Sequence, residues 1–321
     1  MVDKLTERSL FAAVCVFLIV ISIITVSRRS FPANTLLFHT STERARPLEH
    51  VTVWSQPSIA SKRAIPFTAE TLYVMYGEGN FGDDNEHLLN YIRSMMSQQG
   101  PGGRHLCQES KVQYNPMGGA GVLDGLLNKR RNGFFVECGA FGGEDLSDSL
   151  FFEKERNWTG ILIEAHPDYH HQILSKNRRA FVLPACLSHS RTPVKTKFKL
   201  AGWGSGVSSL NRNINPTDKS VPETDVQCFS LNSIMAAIGV RHIDLMILDV
   251  EGSELQVLET IDWKRITIDL FSIEYMDKNR VEKLNKIRAF FNKTGLNYKE
   301  VGKMPLKSTD ATGCDVFFMR V

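Results

Sequence analysis

The sequence predicts an α/β protein built on a parallel sheet, and three observations carry that prediction. From about residue 132 to the carboxyl end, apolar β-branched runs alternate with helical patterns, as strands joined by crossover helices do. Two of the runs, Phe134-Phe-Val-Glu-Cys138 and Asp244-Leu-Met-Ile-Leu-Asp-Val250, stop abruptly in carboxylates and glycines. A buried parallel strand presents polar groups to a ligand at its carboxyl end in this way. The 321 residues are 42% hydrophobic, ample for one large core.

The amino end differs in kind. After a short tail at 1–9, the run from Leu10 to Val26 holds no charged residue and lies between Lys4, Arg8 and Arg28, Arg29. As a helix it rises roughly 25 Å, a little short of a hydrocarbon core of about 30 Å. An uncleaved transmembrane signal anchor over 10–27 is expected ahead of a cleaved signal peptide, whose apolar region is usually only about 7 to 15 residues. Its shortness suits the thinner membranes of the early secretory pathway. Orientation stays open: Arg28, Arg29, Arg44 and Arg46 outnumber Lys4 and Arg8, which by charge alone keeps the domain in the cytosol. Against that, the sequons Asn157-Trp-Thr159 and Asn292-Lys-Thr294 can be used only in a lumen.

Residues 28–66 carry Pro32, Pro47, Pro57 and Pro66 without sustained periodicity and read as a stem. A lead-in segment over 67–131 follows. Leu88, Leu89, Ile92, Met95 and Met96 predict an amphipathic helix within 83–98, the Gly-Pro-Gly-Gly stretch ends it, and a second helix runs up to Lys129-Arg-Arg131. The main domain, 132–321, reads as strands at 134–138, 160–164, 181–185, 244–250, 270–275, 297–301 and 315–320. Helices fit near 147–156, 167–178, 231–238, 253–260 and 279–293. Residues 193–226 form a long connection.

A net charge of +3 gives little reason to expect nucleic acid. Lys129-Arg-Arg131 and Lys176-Asn-Arg-Arg179 lie at helix ends, where the helix dipole and solvent account for them. Cys138 and Cys186 fall in core strands and Cys15 in the anchor. Cys107, Cys228 and Cys314 are then an odd set with no readable pairing.

Chemistry concentrates at three strand ends. Glu137-Cys-Gly139 and Gly143-Glu144 follow the first strand, where glycines let backbone N–H groups approach a ligand. Glu137 repels a phosphate there, which favours a phosphate-free sulfonium donor, S-adenosylmethionine, over a dinucleotide. Glu164 ends the second strand and suits ribose hydroxyls; the nearby His166, His170 and His171 read as solvent-facing. Asp249 and Glu251, placed on one side by strand alternation, can orient the donor or take a proton from an attacking hydroxyl. A metal held by Asp249, Glu251 and Glu274 is not expected, because no His or Cys ligand spacing accompanies them.

These motifs, with Ile161-Leu-Ile-Glu-Ala-His-Pro167, Ala185-Cys-Leu-Ser188 and Ile247-Leu-Asp-Val-Glu-Gly-Ser-Glu254, resemble the FkbM family of S-adenosylmethionine-dependent methyltransferases over about 120–321. The anchor and Leu146-Ser-Asp-Ser-Leu-Phe-Phe-Glu-Lys154 are similar to an animal, membrane-anchored Star-like subset. The resemblance implies a class I methyltransferase Rossmann-like sheet of seven strands with the last antiparallel, donor contacts from Glu137, Gly139 and Glu164, and Asp249 beside the methionine part. The subset implies a type II single-pass protein of the endoplasmic reticulum and Golgi, with endosome or plasma membrane as further stations, acting in vesicle-mediated transport of membrane cargo. Phe141-Gly142-Gly143 departs from the family pattern, which commonly carries an acid there. The reading is therefore an O-methyltransferase with a hydroxyl-bearing acceptor, and its rival a catalytically weak or inactive cargo adaptor.

Overall fold

Strands that are apolar at successive positions, not alternate ones, have to be covered on both faces. β1 (Phe134–Cys138) is buried at every position and β7 (His242–Leu248) at all but its first. The computed structural model describes residues 82–98, 100, 102–112, 119–200, 222–275, 279–304 and 315–321. Among these no helix is long and apolar enough to cross a membrane. The anchor expected at 10–27, the stem at 28–66 and the lead-in up to residue 81 lie outside the described residues.

In chain order the elements are α1 (Glu86–Met95), α2 (Gly119–Leu126), β1, α3 (Ser149–Glu155), β2 (Thr159–Ile163), α4 (Pro167–Lys176), β3 (Phe181–Leu183), β4 (Cys186–Leu187), β5 (Val194–Lys199) and β6 (Glu223–Phe229). Then come α5 (Leu231–Ile238), β7, α6 (Glu254–Thr260), β8 (Thr267–Glu274), α7 (Arg280–Thr294), β9 (Tyr298–Lys303) and β10 (Asp315–Arg320). Seven strands form one sheet in the order β3-β2-β1-β7-β8-β10-β9. All neighbours run parallel except β10, which is antiparallel to both β8 and β9. Strand order turns back between β1 and β7, the switch point where the carboxyl ends of such sheets open a crevice.

One face packs Leu88 and Ile92 of α1, Ile234 of α5, Leu258 of α6 and Phe291 of α7 against Val136, Met246 and Ile273. The other packs Leu123 of α2, Phe152 of α3 and Ile173 of α4 against Phe135, Leu162 and Leu245. Local chemistry sets the helix starts: Asn85 caps α1, Ser230 caps α5, and His166 accepts the Asp168 N–H through Nδ1 at 3.2 Å before Pro167 opens α4. His166 is therefore buried, not solvent-facing.

Two further expectations are corrected. The stretch 193–226 is not only a connection: β5 and β6 pair antiparallel, and β4 joins them in a three-stranded sheet. Exposed lysines and acids on these strands, such as Lys197 and Asp225 at 2.8 Å, erase the apolar alternation that marks a strand. Parallel pairing sets Cys186 opposite Cys228, Cα atoms 4.3 Å apart, and the two form a disulfide. The basic clusters at helix ends are also not simply solvated. Arg130 bridges Asp244 and Asp269, Lys176 pairs with Glu144 at 2.6 Å, and Arg178 is only 1% exposed.

Candidate functional site

The order β2-β1-β7 sets three strand ends side by side: Glu164 after β2, Gly139 after β1, Asp249 after β7. Gly139 N–H donates to the Ile163 carbonyl at 3.0 Å, and Asp249 N–H donates to the Cys138 carbonyl at 3.2 Å. Gly139 is exposed with φ 79°, and a Cβ there runs into the Asp249 carbonyl oxygen. Only glycine meets both demands.

Glu164 is 6% exposed and accepts N–H bonds from Phe141 at 2.8 Å and His166 at 2.7 Å. Burial pushes its carboxyl up to about 7, against the pull of those backbone donors. A carboxylate holding these bonds keeps acceptor capacity for a ligand hydroxyl. Outside it, the Phe141 ring leans on Tyr169 at 4.3 Å, and Tyr169 on His166 at the same distance.

Asp249 and Glu251 come together, though not by strand alternation. β7 ends at Leu248, and a turn places them, with Glu251 at φ 59° and Gly252 at φ 105°. Glu254 staples this turn: its Oε1 accepts the N–H groups of Val250 and Gly252, each at 3.1 Å. Glu274, at the end of β8, completes the group, and oxygens of Asp249, Glu251 and Glu274 all lie within 4.8 Å of one another. That spacing offers a cation three oxygen ligands. Burial, then Glu251, Asp315 and Glu254, hold the Asp249 carboxyl well above the usual carboxylate range; burial, then Asp249 and Glu251, do the same for Glu274. Asp315, at the start of the reversed β10, is pushed up to about 6 by burial. Carboxyls so crowded hold protons in common, and an ionised member can accept one from a substrate.

The remaining anticipated residues belong to the walls. Glu137, 3% exposed, accepts the hydroxyls of Ser147 at 2.8 Å and Ser149 at 2.6 Å. Gly143, φ 73°, closes a turn by donating to the Ala140 carbonyl at 2.9 Å and rests on Ile173. Glu144 is turned to the lead-in segment, where it accepts the N–H groups of Cys107 at 2.9 Å and Gln108 at 2.7 Å and pairs with Lys176. Burial alone raises its pKa, but Lys176 and those amides hold it below the ordinary value. It does not join Glu164, Gly139 and Asp249. Sequence reasoning missed Glu254 as the staple, though it sits in the quoted motif, and missed Lys283 and Arg178, whose partners are distant in the chain.

A mostly parallel seven-stranded sheet with one reversed strand, and carboxylates grouped at its switch point, define an α/β methyltransferase-like fold. A family model described as the Methyltransferase FkbM domain matches residues 137–299, about half of the chain. The chain belongs to that family, and membership implies a donor of the S-adenosylmethionine type. No curated protein matches it. Among solved structures it is similar to the FkbM methyltransferase of Methylobacillus flagellatus KT (16% identity, TM-score 0.39, covering 58% of this chain and 43% of that one). It is similar also to precorrin-6y C5,15-methyltransferase of Geobacter metallireducens GS-15 (11%, 0.35, 63% and 87%) and a methyltransferase of Pyrococcus furiosus (14%, 0.33, 62% and 82%). The chain thus spans less than half of the Methylobacillus protein.

Proposed function

We propose that this protein is an S-adenosylmethionine-dependent O-methyltransferase acting on a hydroxyl-bearing acceptor. The observation that carries the reading is the exposed Gly139 turn, laced by backbone bonds to the strand end before Glu164 on one side and to Asp249 on the other. Glu164 would accept the ribose hydroxyls, and the Gly139 turn would admit the donor close to the backbone. When bound, the donor supplies an electrophilic methyl group. An ionised Asp249 or Glu251 would take the proton that the acceptor hydroxyl loses as its oxygen bonds the methyl group and the donor leaves as the neutral thioether, and Glu274 can share that proton within the carboxyl group.

The same reading places the domain in the lumen of the endoplasmic reticulum or Golgi, held by the span at 10–27 expected from the sequence. The Cys186–Cys228 disulfide supports that compartment, because such bonds persist where the environment oxidises. Loss of mass on glycosidase treatment, absent in the Asn157→Gln/Asn292→Gln double variant, is the expected result; digestion of the domain by protease in sealed microsomes contradicts it.

A second reading, a Star-like adaptor for membrane cargo that no longer turns over, draws on the stretch Phe141-Gly142-Gly143, which lacks the acid the family commonly carries there, while the neighbouring Phe141 ring packs on Tyr169. Calorimetry of the full-length chain with S-adenosylhomocysteine separates the two. Micromolar binding is expected of the enzyme; silence up to millimolar ligand from a folded sample rejects it.

A further inference from the structure

Arg178 follows α4 and is 1% exposed, among the largest fully buried side chains described. An arginine in such a place has to satisfy every direction of its fork, since it donates only. Nε donates to Glu153 Oε2, Nη1 to the Gly143 carbonyl and to Ser147 Oγ, and Nη2 to Ser149 Oγ, each at 3.0 Å. The guanidinium also lies over the Phe135 ring, 5.8 Å from its centre.

Hydrogen-bond direction follows from these contacts. Ser147 Oγ accepts from Arg178 and from Leu150 N–H at 3.3 Å, so its one proton is left for Glu137. Ser149 Oγ accepts from Arg178 and gives its proton to the same Glu137 oxygen, Oε2. With both protons committed, the 3.3 Å contact between the two serine oxygens is not a hydrogen bond. One guanidinium thus orients both hydroxyls toward Glu137 and ties down the carbonyl of Gly143, the two ends of the loop that turns at Gly139.

We propose that Arg178 is a positioning residue for methyl-donor binding: through Ser147 and Ser149 it holds Glu137, and through the Gly143 carbonyl it holds the loop from Gly139 to Gly143 in the shape that receives the donor. The inference rests on the methyltransferase reading. Lysine cannot replace it, because a single ammonium has no planar fork to reach a carboxylate, a carbonyl and two hydroxyls at once. Nothing in local sequence marks Arg178 for this role; it looks like one more cation at a helix end.

The test uses the full-length chain and S-adenosylhomocysteine as the calorimetric probe. Arg178→Lys is the direct variant. Ser147→Ala/Ser149→Ala removes the relay and keeps the buried Arg178–Glu153 pair, while Glu153→Gln weakens that pair and keeps the relay. The expected result is binding at least about tenfold weaker in Arg178→Lys and in the double serine variant, both with native circular dichroism, and wild-type affinity in Glu153→Gln despite a lower melting temperature. A scaffold role alone lowers the melting temperatures and leaves affinity untouched, and that outcome overturns the proposal. If Arg178→Lys does not fold, the double serine variant decides. Silence of the wild type overturns the donor reading and this role together; a binding wild type with an equally binding double variant overturns this role alone.

Discussion

Glu254 and Lys283 face each other at the carboxyl edge of the sheet, Oε2 2.8 Å from Nζ, with side chains 0% and 12% exposed. The contact is an ion pair without hydrogen-bond alignment. Glu254 spends its other oxygen on the Val250–Gly252 turn, so this pair connects the site turn to α7. Lys283 also lies 3.9 Å from Glu274 and offsets charge in the Asp249, Glu251, Glu274 group.

Lys283→Met is therefore expected to destabilise by about 3 to 5 kcal/mol near pH 8, the usual cost of leaving a buried charge without its partner. Without the cation the folded-state carboxyls hold their protons more tightly than the unfolded ones, so stability falls as pH rises. Urea unfolding at about pH 5 and pH 8 measures this. An equal loss at both values shows that the lysine packs without offsetting charge.

If the proposed function holds, Glu164 is expected to give donor binding a pH dependence. Its carboxyl titrates at about 7 in the folded protein because burial opposes ionisation. The ionised form is the better acceptor for ribose hydroxyls, so affinity for S-adenosylhomocysteine is expected to rise as pH increases through about 7. Stability runs the other way, lost between the ordinary value of 4.5 and about 7 as the folded carboxyl gives up its proton. In Glu164→Gln the affinity should be weaker and flat between pH 6 and 8. A slope that survives the substitution assigns the titration elsewhere.

Much of this was legible before any coordinates. β1 and β10 begin and end where the apolar runs do, and α5 spans the expected 231–238, because each is bounded by a glycine, a cap or a charge. Glu164, Gly139 and Asp249 could be grouped because strand order in such sheets puts the ends of successive parallel strands together. Arg178 and Lys283 could not, since Arg178 acts through partners 25 or more residues away and Lys283 pairs with Glu254 across the α6–β8 segment, contacts that only packing brings near. Glu144 misled for the opposite reason: it sits where a ligand group would, but the lead-in segment, which has no strand or helix signal at Cys107 and Gln108, occupies its oxygens.

The opposite edge of the sheet carries a separate titration. His242 lies 3.3 Å from Asp269 and 3.7 Å from Asp244, and the two acids push its pKa up from 6.5 to about 9. A raised folded-state value contributes stability that is full below 6.5 and lost as pH rises to about 9. With the side chain half exposed and Arg130 already bridging the acids, the effect should stay under about 1 kcal/mol. Wild type and His242→Asn are expected to converge in stability near pH 9 with no difference in donor affinity. Parallel curves across the range remove His242 from the account.

Gly139→Ala tests the close approach on which the site depends. Gly139 and Gly295 share a left-handed backbone, φ 79° and 65°, but a Cβ at Gly139 strikes the Asp249 carbonyl while one at Gly295 meets open space. Alanine at 295 pays only for its backbone, about 1 kcal/mol, and should leave donor affinity unchanged. At 139 the Asp249 strand end has to move as well. A loss of about 2 to 4 kcal/mol is expected, with S-adenosylhomocysteine binding reduced at least tenfold, because the displaced backbone carries Asp249 away from the turn. Chemical unfolding and calorimetry on the two variants side by side separate backbone strain from steric approach. Equal losses in both, with affinity preserved at 139, mean that the contact between these strand ends shapes the fold and not the donor site.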